Sequence, residues 1–137
     1  MCGIFGLIVN AESKITRPNL RSIAGDLFKL SESRGKEAAG IAIQTASSIN
    51  IYKQPSSASQ LIRNCEYQKM FDNVVSSEHN RKAGFIDDTL AIIGHSRLVT
   101  NGVQEVHANN QPVTSNGIVG IHNGIVVNVD DLWGKFS

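Results

Sequence analysis

The sequence predicts an α+β fold, with antiparallel hairpins and more strands than helices. Three observations predict it. Short apolar stretches, GIFGLIV at 3–9, TLAIIGHSRL at 89–98 and GIVGIHNGIVVN at 117–128, are separated by polar and turn-forming residues. Two alternating stretches, IAIQTA at 41–46 and INIYK at 49–53, lie almost end to end. One longer stretch, PNLRSIAGDLFKLSE at 18–32, carries apolar residues at helical spacing.

Residues 3–9 are apolar and partly β-branched and read as a buried strand. Residues 10–18 are polar and turn-like. In 18–32, Leu20, Ile23, Ala24, Leu27, Phe28 and Leu30 fall near one helical face, with Pro18 in the first turn, where its missing N–H costs nothing. SRGKEAAG at 33–40 interrupts the pattern, punctuated by Gly35 and Gly40. The alternating pair that follows predicts a hairpin, with Ala46, Ser47 and Ser48 at its turn. Residues 54–62 form a loop or a helix start, and 64–76 a helix or an irregular segment. The stretches at 89–98 and 117–128 are strand candidates. Residues 128–137 begin like a helix, with Asn128 or Asp130 as cap and Leu132, Trp133 and Phe136 as an apolar face. Such a face calls for something to pack on.

The 137 residues suggest one domain, long enough for a real core. Thirteen basic and twelve acidic residues give a net charge of +1, so no electrostatic footprint points to nucleic acid or a charged membrane. No apolar run approaches bilayer length, and no signal peptide opens the chain. The expectation is a soluble, cytoplasmic protein. Two cysteines make no disulfide framework. Four scattered histidines lack paired zinc-site spacing, so no metal and no cofactor is expected. Neither GxxxxGK[ST] nor a GxGxxG after a strand is present.

Cys2 is the residue with the clearest chemistry. A generic free cysteine is a small buried residue. Here only Met1 precedes it, and an initiator methionine is removed when the next side chain is small. Cys2 would then carry both a thiol and a free α-amine. Free amines titrate at about pH 8 and thiols at about 8.5, so such an amine can accept the thiol proton. Gly3 and Gly6 leave room beside that terminus. Acyl chemistry also needs donors aimed at an oxyanion. The Asn123 amide and the Gly124 N–H are candidates, although Asn-Gly alone reads first as a hairpin turn. Arg97 follows an apolar strand and can clamp a carboxylate, or can be a surface arginine. His95 and His122 read as core or rim histidines. Cys65 reads as incidental, and Asp87-Asp88 as a solvated turn.

Five motifs in order carry a resemblance: CGIFG at 2–6, SRGKEAAGIAI at 33–43, GHSRLVTNG at 94–102, NNQPV at 109–113 and GIHNGIVVN at 120–128. Together they resemble the glutaminase domain of the class II glutamine amidotransferases, within the N-terminal-nucleophile hydrolases. The resemblance covers nearly the whole chain. It implies a four-layer αββα sandwich of two antiparallel sheets between helices. It implies that Cys2 is the nucleophile and its amine the base, that Asn123 and Gly124 form the oxyanion hole, and that Arg97 binds the glutamine α-carboxylate. Thr100 and Asn101 would line the same pocket, and Arg34 would support the fold near the site. The closest type is glucosamine-6-phosphate synthase, with a sugar phosphate as acceptor. RGKEAAGI also looks like the amidophosphoribosyltransferase type. Leu98 and Asn101 stand where the sugar-phosphate enzymes usually carry tryptophan and histidine.

The family's aspartate for the glutamine α-amine has no match, since Asp130 and Asp131 come too early. Residues 1–137 are therefore expected to be a partial, C-terminally truncated glutaminase domain. The implied partners are L-glutamine and a synthase or acceptor domain outside this chain, and a homo-oligomer stays open. The rival expectations are a catalytically silent fragment that binds glutamine or a subunit, and a different N-terminal-nucleophile amidase.

Overall fold

The computed structural model describes residues 1–76, 85–86, 88–98, 106 and 109–136. Within them the fold is α+β with an antiparallel sheet, as expected. The elements run β1 (Gly3–Val9), a short 3-10 turn (Ala11–Ser13), α1 (Arg17–Glu32), β2 (Ala38–Gln44), β3 (Ile49–Gln54), α2 (Ala58–Leu61), α3 (Cys65–Val75), β4 (Leu90–Arg97), β5 (Val113–Ser115), β6 (Ile118–Gly120) and α4 (Val129–Phe136).

Local chemistry sets the helix starts. The Thr16 side chain accepts from the Asn19 N–H and Pro18 sits in the first turn, so α1 begins where the sequence predicts. Ser57 and Gln60 form a reciprocal capping box on α2. Asn64 accepts from the Glu66 and Tyr67 N–H groups, which makes 65–75 the helix of the two readings left open.

Four strands form one sheet in the order β1-β4-β2-β3, every neighbouring pair antiparallel. The expected hairpin is β2-β3, closed at 45–48 by a Thr45 N–H to Ser48 O bond of 2.8 Å. One face of this sheet takes Phe5, Leu7, Val9, Ile41, Ile43, Leu90 and Ile92. Leu20, Ala24 and Phe28 of α1, Leu61 of α2, and Tyr67, Phe71 and Val75 of α3 complete the core there. Phe28 stands edge-on to Phe5 with centroids 4.8 Å apart, and edge-on to Tyr67 at 6.4 Å.

Two expectations are corrected. Residues 3–9 do form a strand, but it is buried on one face only. β1 is an edge strand, and Ile4 and Ile8 point away from the helices and are exposed. The strand expected over 117–128 is only Ile118–Gly120, paired with Val113–Ser115. Residues 121–126 leave the ladder. The hairpin turn is at Asn116-Gly117, whose φ angles of 48° and 78° are both left-handed. The helix at the end of the chain forms, but Trp133 and Phe136 are exposed.

Candidate active site

The second face of the sheet carries the residues with chemistry. Ser96 points to the helix side, where its hydroxyl lies 2.6 Å from that of Ser31. Its neighbours His95 and Arg97 therefore point to the opposite face, and both are buried. Gly3 pairs with Ser96 at the end of the sheet, so Cys2 sits one residue beyond that pair. The Cys2 thiol lies 3.7 Å from the Leu98 carbonyl oxygen.

Two glycines let the polypeptide close around this end. A Cβ on Gly3 would come within 2.2 Å of the Ser31 carbonyl oxygen, so the last turn of α1 lies directly on the strand that follows Cys2. A Cβ on Gly35 would lie 2.3 Å from the Arg97 carbonyl carbon, which explains the glycine of the RG segment as packing. The room foreseen at Gly6 is present but unused, since only the Ile92 carbonyl oxygen comes within 4 Å.

The result is an open cavity of about 340 Å³ whose lining includes Cys2, Ser31, Ser33, Arg34 and Asn123. Cys2 and Asn123 thus share one cavity from opposite ends of the chain. Arg34 joins them on the cavity lining. With Met1 in place, the Cys2 nitrogen is a peptide amide. A comparable cavity beside the β2-β3 turn, lined by Thr45, Ser48, Asn73 and Asp88 among others, offers hydroxyls, amides and a carboxylate but no thiol or cation.

Gly124 follows Asn123 but does not line the cavity. A Cβ there would lie 2.9 Å from the His122 ring, so the imidazole covers the glycine. Neither Asn123 nor Gly124 serves as a hairpin turn, because the ladder has ended before them. Arg97 is near Cys2 in strand register, yet its guanidinium is buried, with Nη1 donating to Asn110 Oδ1 at 2.8 Å. Thr100 and Asn101 lie outside the described residues.

His95 is a core histidine, as expected, but not a hydrogen-bonded one of good geometry. Burial drives its pKa down to about 4, with Arg97 and His122 charges adding to that and the His122 backbone opposing it. Both ring nitrogens are sealed from solvent. It is therefore a neutral imidazole at pH 7. Lys53 on the same face is also lowered by burial, and its Nζ donates to the carbonyl oxygens of Asn110 and Pro112 at 2.8 and 3.1 Å. Among the described residues, no cluster of three histidine, cysteine or acidic side chains could hold a metal ion. No described helix is long and apolar enough to cross a membrane.

Asn110 and Gln111 belong to this surroundings although only their motif, not their role, is visible in sequence. The signal was the Asn-x-x-Pro pattern of NNQPV; the partners of the two amides come from distant strands and loops.

No family model and no solved structure matches the chain. It is similar to glutamine–fructose-6-phosphate aminotransferase [isomerizing] of Staphylococcus aureus, 32% identical over 138 residues that span 99% of this chain and 19% of that protein. The Bacillus cereus protein of the same name is 30% identical over 131 residues, 95% of this chain and 18% of the relative. The chain thus spans about a fifth of the length of these relatives. That similarity, running from one end of the sequence to the other, relates the chain to the N-terminal part of these proteins, which is a class II glutamine amidotransferase domain.

Proposed function

We propose that this chain hydrolyses glutamine to glutamate and ammonia, as part of a class II amidotransferase, with Cys2 as nucleophile. The observation that carries the reading is the cavity shared by Cys2 and Asn123. A thiol and a side-chain amide donor, drawn from opposite ends of the sequence, is the pairing that acyl transfer from a carboxamide needs.

In this reading Met1 is removed, and the exposed Cys2 amine takes the thiol proton. The thiolate attacks the glutamine side-chain carbonyl carbon. The Asn123 amide and the Gly124 N–H stabilise the oxyanion, the amine returns the proton to the leaving nitrogen, and ammonia departs. Water then attacks the glutamyl thioester, releasing glutamate and restoring the thiol. Arg97 is assigned to the substrate α-carboxylate, with Thr100 and Asn101 beside it. The relatives' name supports a sugar phosphate as the ammonia acceptor, supplied by a synthase domain or subunit. Residues 1–137 would then be a portion of a glutaminase domain. The exposed apolar residues Ile4 and Ile8 on the outer face of the sheet, with Trp133 and Phe136 of α4, support a four-layer αββα sandwich, because a second sheet and helical layer would cover them.

One observation favours a second reading. Arg97 is buried against Asn110 rather than on the cavity lining, which suits a catalytically silent module that binds a partner subunit. The test is glutamate release from glutamine by protein whose intact mass lacks Met1. The proposal expects turnover that Cys2→Ala reduces to background and that a Met1-bearing species does not show. Absence of turnover after Met1 removal favours the silent module. A Met1-bearing species as fast as the processed one refutes the amine as base.

A further inference from the structure

The NNQPV segment is a motif that the proposed mechanism does not use. Its residues are fixed to the outer face of the sheet from three sides. Asn110 Oδ1 accepts from Arg97 Nη1 at 2.8 Å. The carbonyl oxygens of Asn110 and Pro112 accept from Lys53 Nζ. The Gln111 carbonyl oxygen rests on Gly40, where a Cβ would approach it to 2.1 Å, so only glycine permits this seat.

From that seat the Gln111 side chain reaches the loop that carries Asn123. Its Nε2 donates to the His122 carbonyl oxygen at 3.1 Å, and its Oε1 accepts from the His122 N–H at 2.5 Å. A single primary amide thus satisfies both main-chain groups of one residue, as a neighbouring strand would. The loop needs it, because the β5-β6 ladder ends at Gly120.

We propose that Gln111 is a positioning residue that fixes the His122 main chain and thereby sets where the Asn123 amide and the Gly124 N–H point. This inference rests on the glutaminase reading above. Oxyanion donors act only when aimed at the developing charge, so loosening their anchor lowers turnover more than substrate binding. The same turn holds Arg97, so one short segment ties the proposed carboxylate clamp to the proposed oxyanion hole.

The test compares Gln111→Leu and Gln111→Asn with the parent in the full chain with Met1 removed. Leu cannot make either bond. Asn keeps the same amide but is one methylene too short to span the gap. Both are expected to lower kcat about 10- to 100-fold with KM within about threefold. Asn123→Ala is expected to lower kcat about 100-fold or more, and adding Gln111→Leu to it to cost a smaller factor than Gln111→Leu costs in the parent, because only the Gly124 N–H is then left for Gln111 to aim. Hydrogen exchange of the His122 amide, read independently of activity, is expected to speed up in Gln111→Leu while exchange in β2 and β4 stays unchanged.

Parent-like kcat in Gln111→Leu, or full rescue by Gln111→Asn, overturns the positioning role and leaves the glutaminase reading intact. Unchanged His122 exchange overturns the clamp itself. A processed parent without Cys2-dependent turnover overturns the glutaminase reading and the positioning role with it, even where the exchange result stands.

Discussion

The two faces of the β1-β4-β2-β3 sheet draw on similar aliphatic residues and are put to different use. On the helix side, Phe5, Leu7, Val9, Ile41, Ile43, Leu90 and Ile92 meet α1, α2 and α3 in one continuous core. On the other side, Ile4 and Ile8 are exposed, while His95 is buried and Arg97 is buried against Asn110. One face removes apolar surface from water, which is where folding free energy comes from. The other buries polar groups, which contribute little net stability but hold positions sharply when their hydrogen bonds are met. The difference teaches that stability and chemistry are separable here, strand by strand, because successive residues point to opposite faces.

The largest test of that separation uses Phe28 and Ile8. Phe28 is fully buried against Phe5 and Tyr67, so Phe28→Ala is expected to destabilise the fold by roughly 3–5 kcal/mol. Ile8→Ala, on the outer face at 76% exposure, is expected to change stability by less than about 0.5 kcal/mol. Urea unfolding of both variants checks this. Similar losses for the two would mean that the outer face is as packed as the inner one.

His95 supplies a smaller, pH-dependent effect. Its folded pKa of about 4 lies below the ordinary 6.5, so the folded state resists protonation while the unfolded chain accepts it. The contribution is therefore fully present above pH 6.5 and lost as pH falls from 6.5 towards 4. The expected slope is about 1.4 kcal/mol per pH unit at most, or about 3 kcal/mol in total. His95→Gln removes an ionisable group and is expected to flatten stability over that window relative to the parent. Parallel acid profiles for the two proteins would place His95 in contact with water.

Much of this separation is legible in the sequence, and the failures have physical causes. Helix α1 was readable because Pro18 and the spacing of Leu20, Ala24 and Phe28 agree. The β2-β3 hairpin was readable from alternation. The face exposure of β1 was not, because GIFGLIV reads apolar or glycine at every position and gives no period that separates an edge strand from a central one. In the candidate site, the reading of Cys2 rests on its position, and the fold adds that it lines a cavity with Asn123. The anchoring of Arg97 by Asn110 and of His122 by Gln111 was not legible, since those hydrogen bonds depend on where the fold carries the 109–112 turn. The turn reading of Asn123-Gly124 fails for a similar reason. The dipeptide specifies a turn only when a strand pair is there to be closed, and β5 and β6 close at Asn116-Gly117.

Those two pairs give the smallest and most discriminating prediction. Gly117 adopts φ 78° with nothing within 4 Å of its would-be Cβ, so Gly117→Ala meets backbone strain alone and is expected to cost about 1 kcal/mol. Gly124 has no such left-handed φ, and its would-be Cβ meets only the exposed His122 ring, which can swing aside. Gly124→Ala is therefore expected to leave stability within about 0.5 kcal/mol while lowering glutaminase turnover, because the added methyl sits beside the proposed oxyanion donor. Urea midpoints and kcat, measured on both variants, give four values whose pattern is fixed in advance: stability falls at 117, turnover at 124. The reverse pattern would make Asn123-Gly124 the structural turn and remove it from the oxyanion hole, because a glycine needed for folding and a glycine needed for chemistry fail in different measurements.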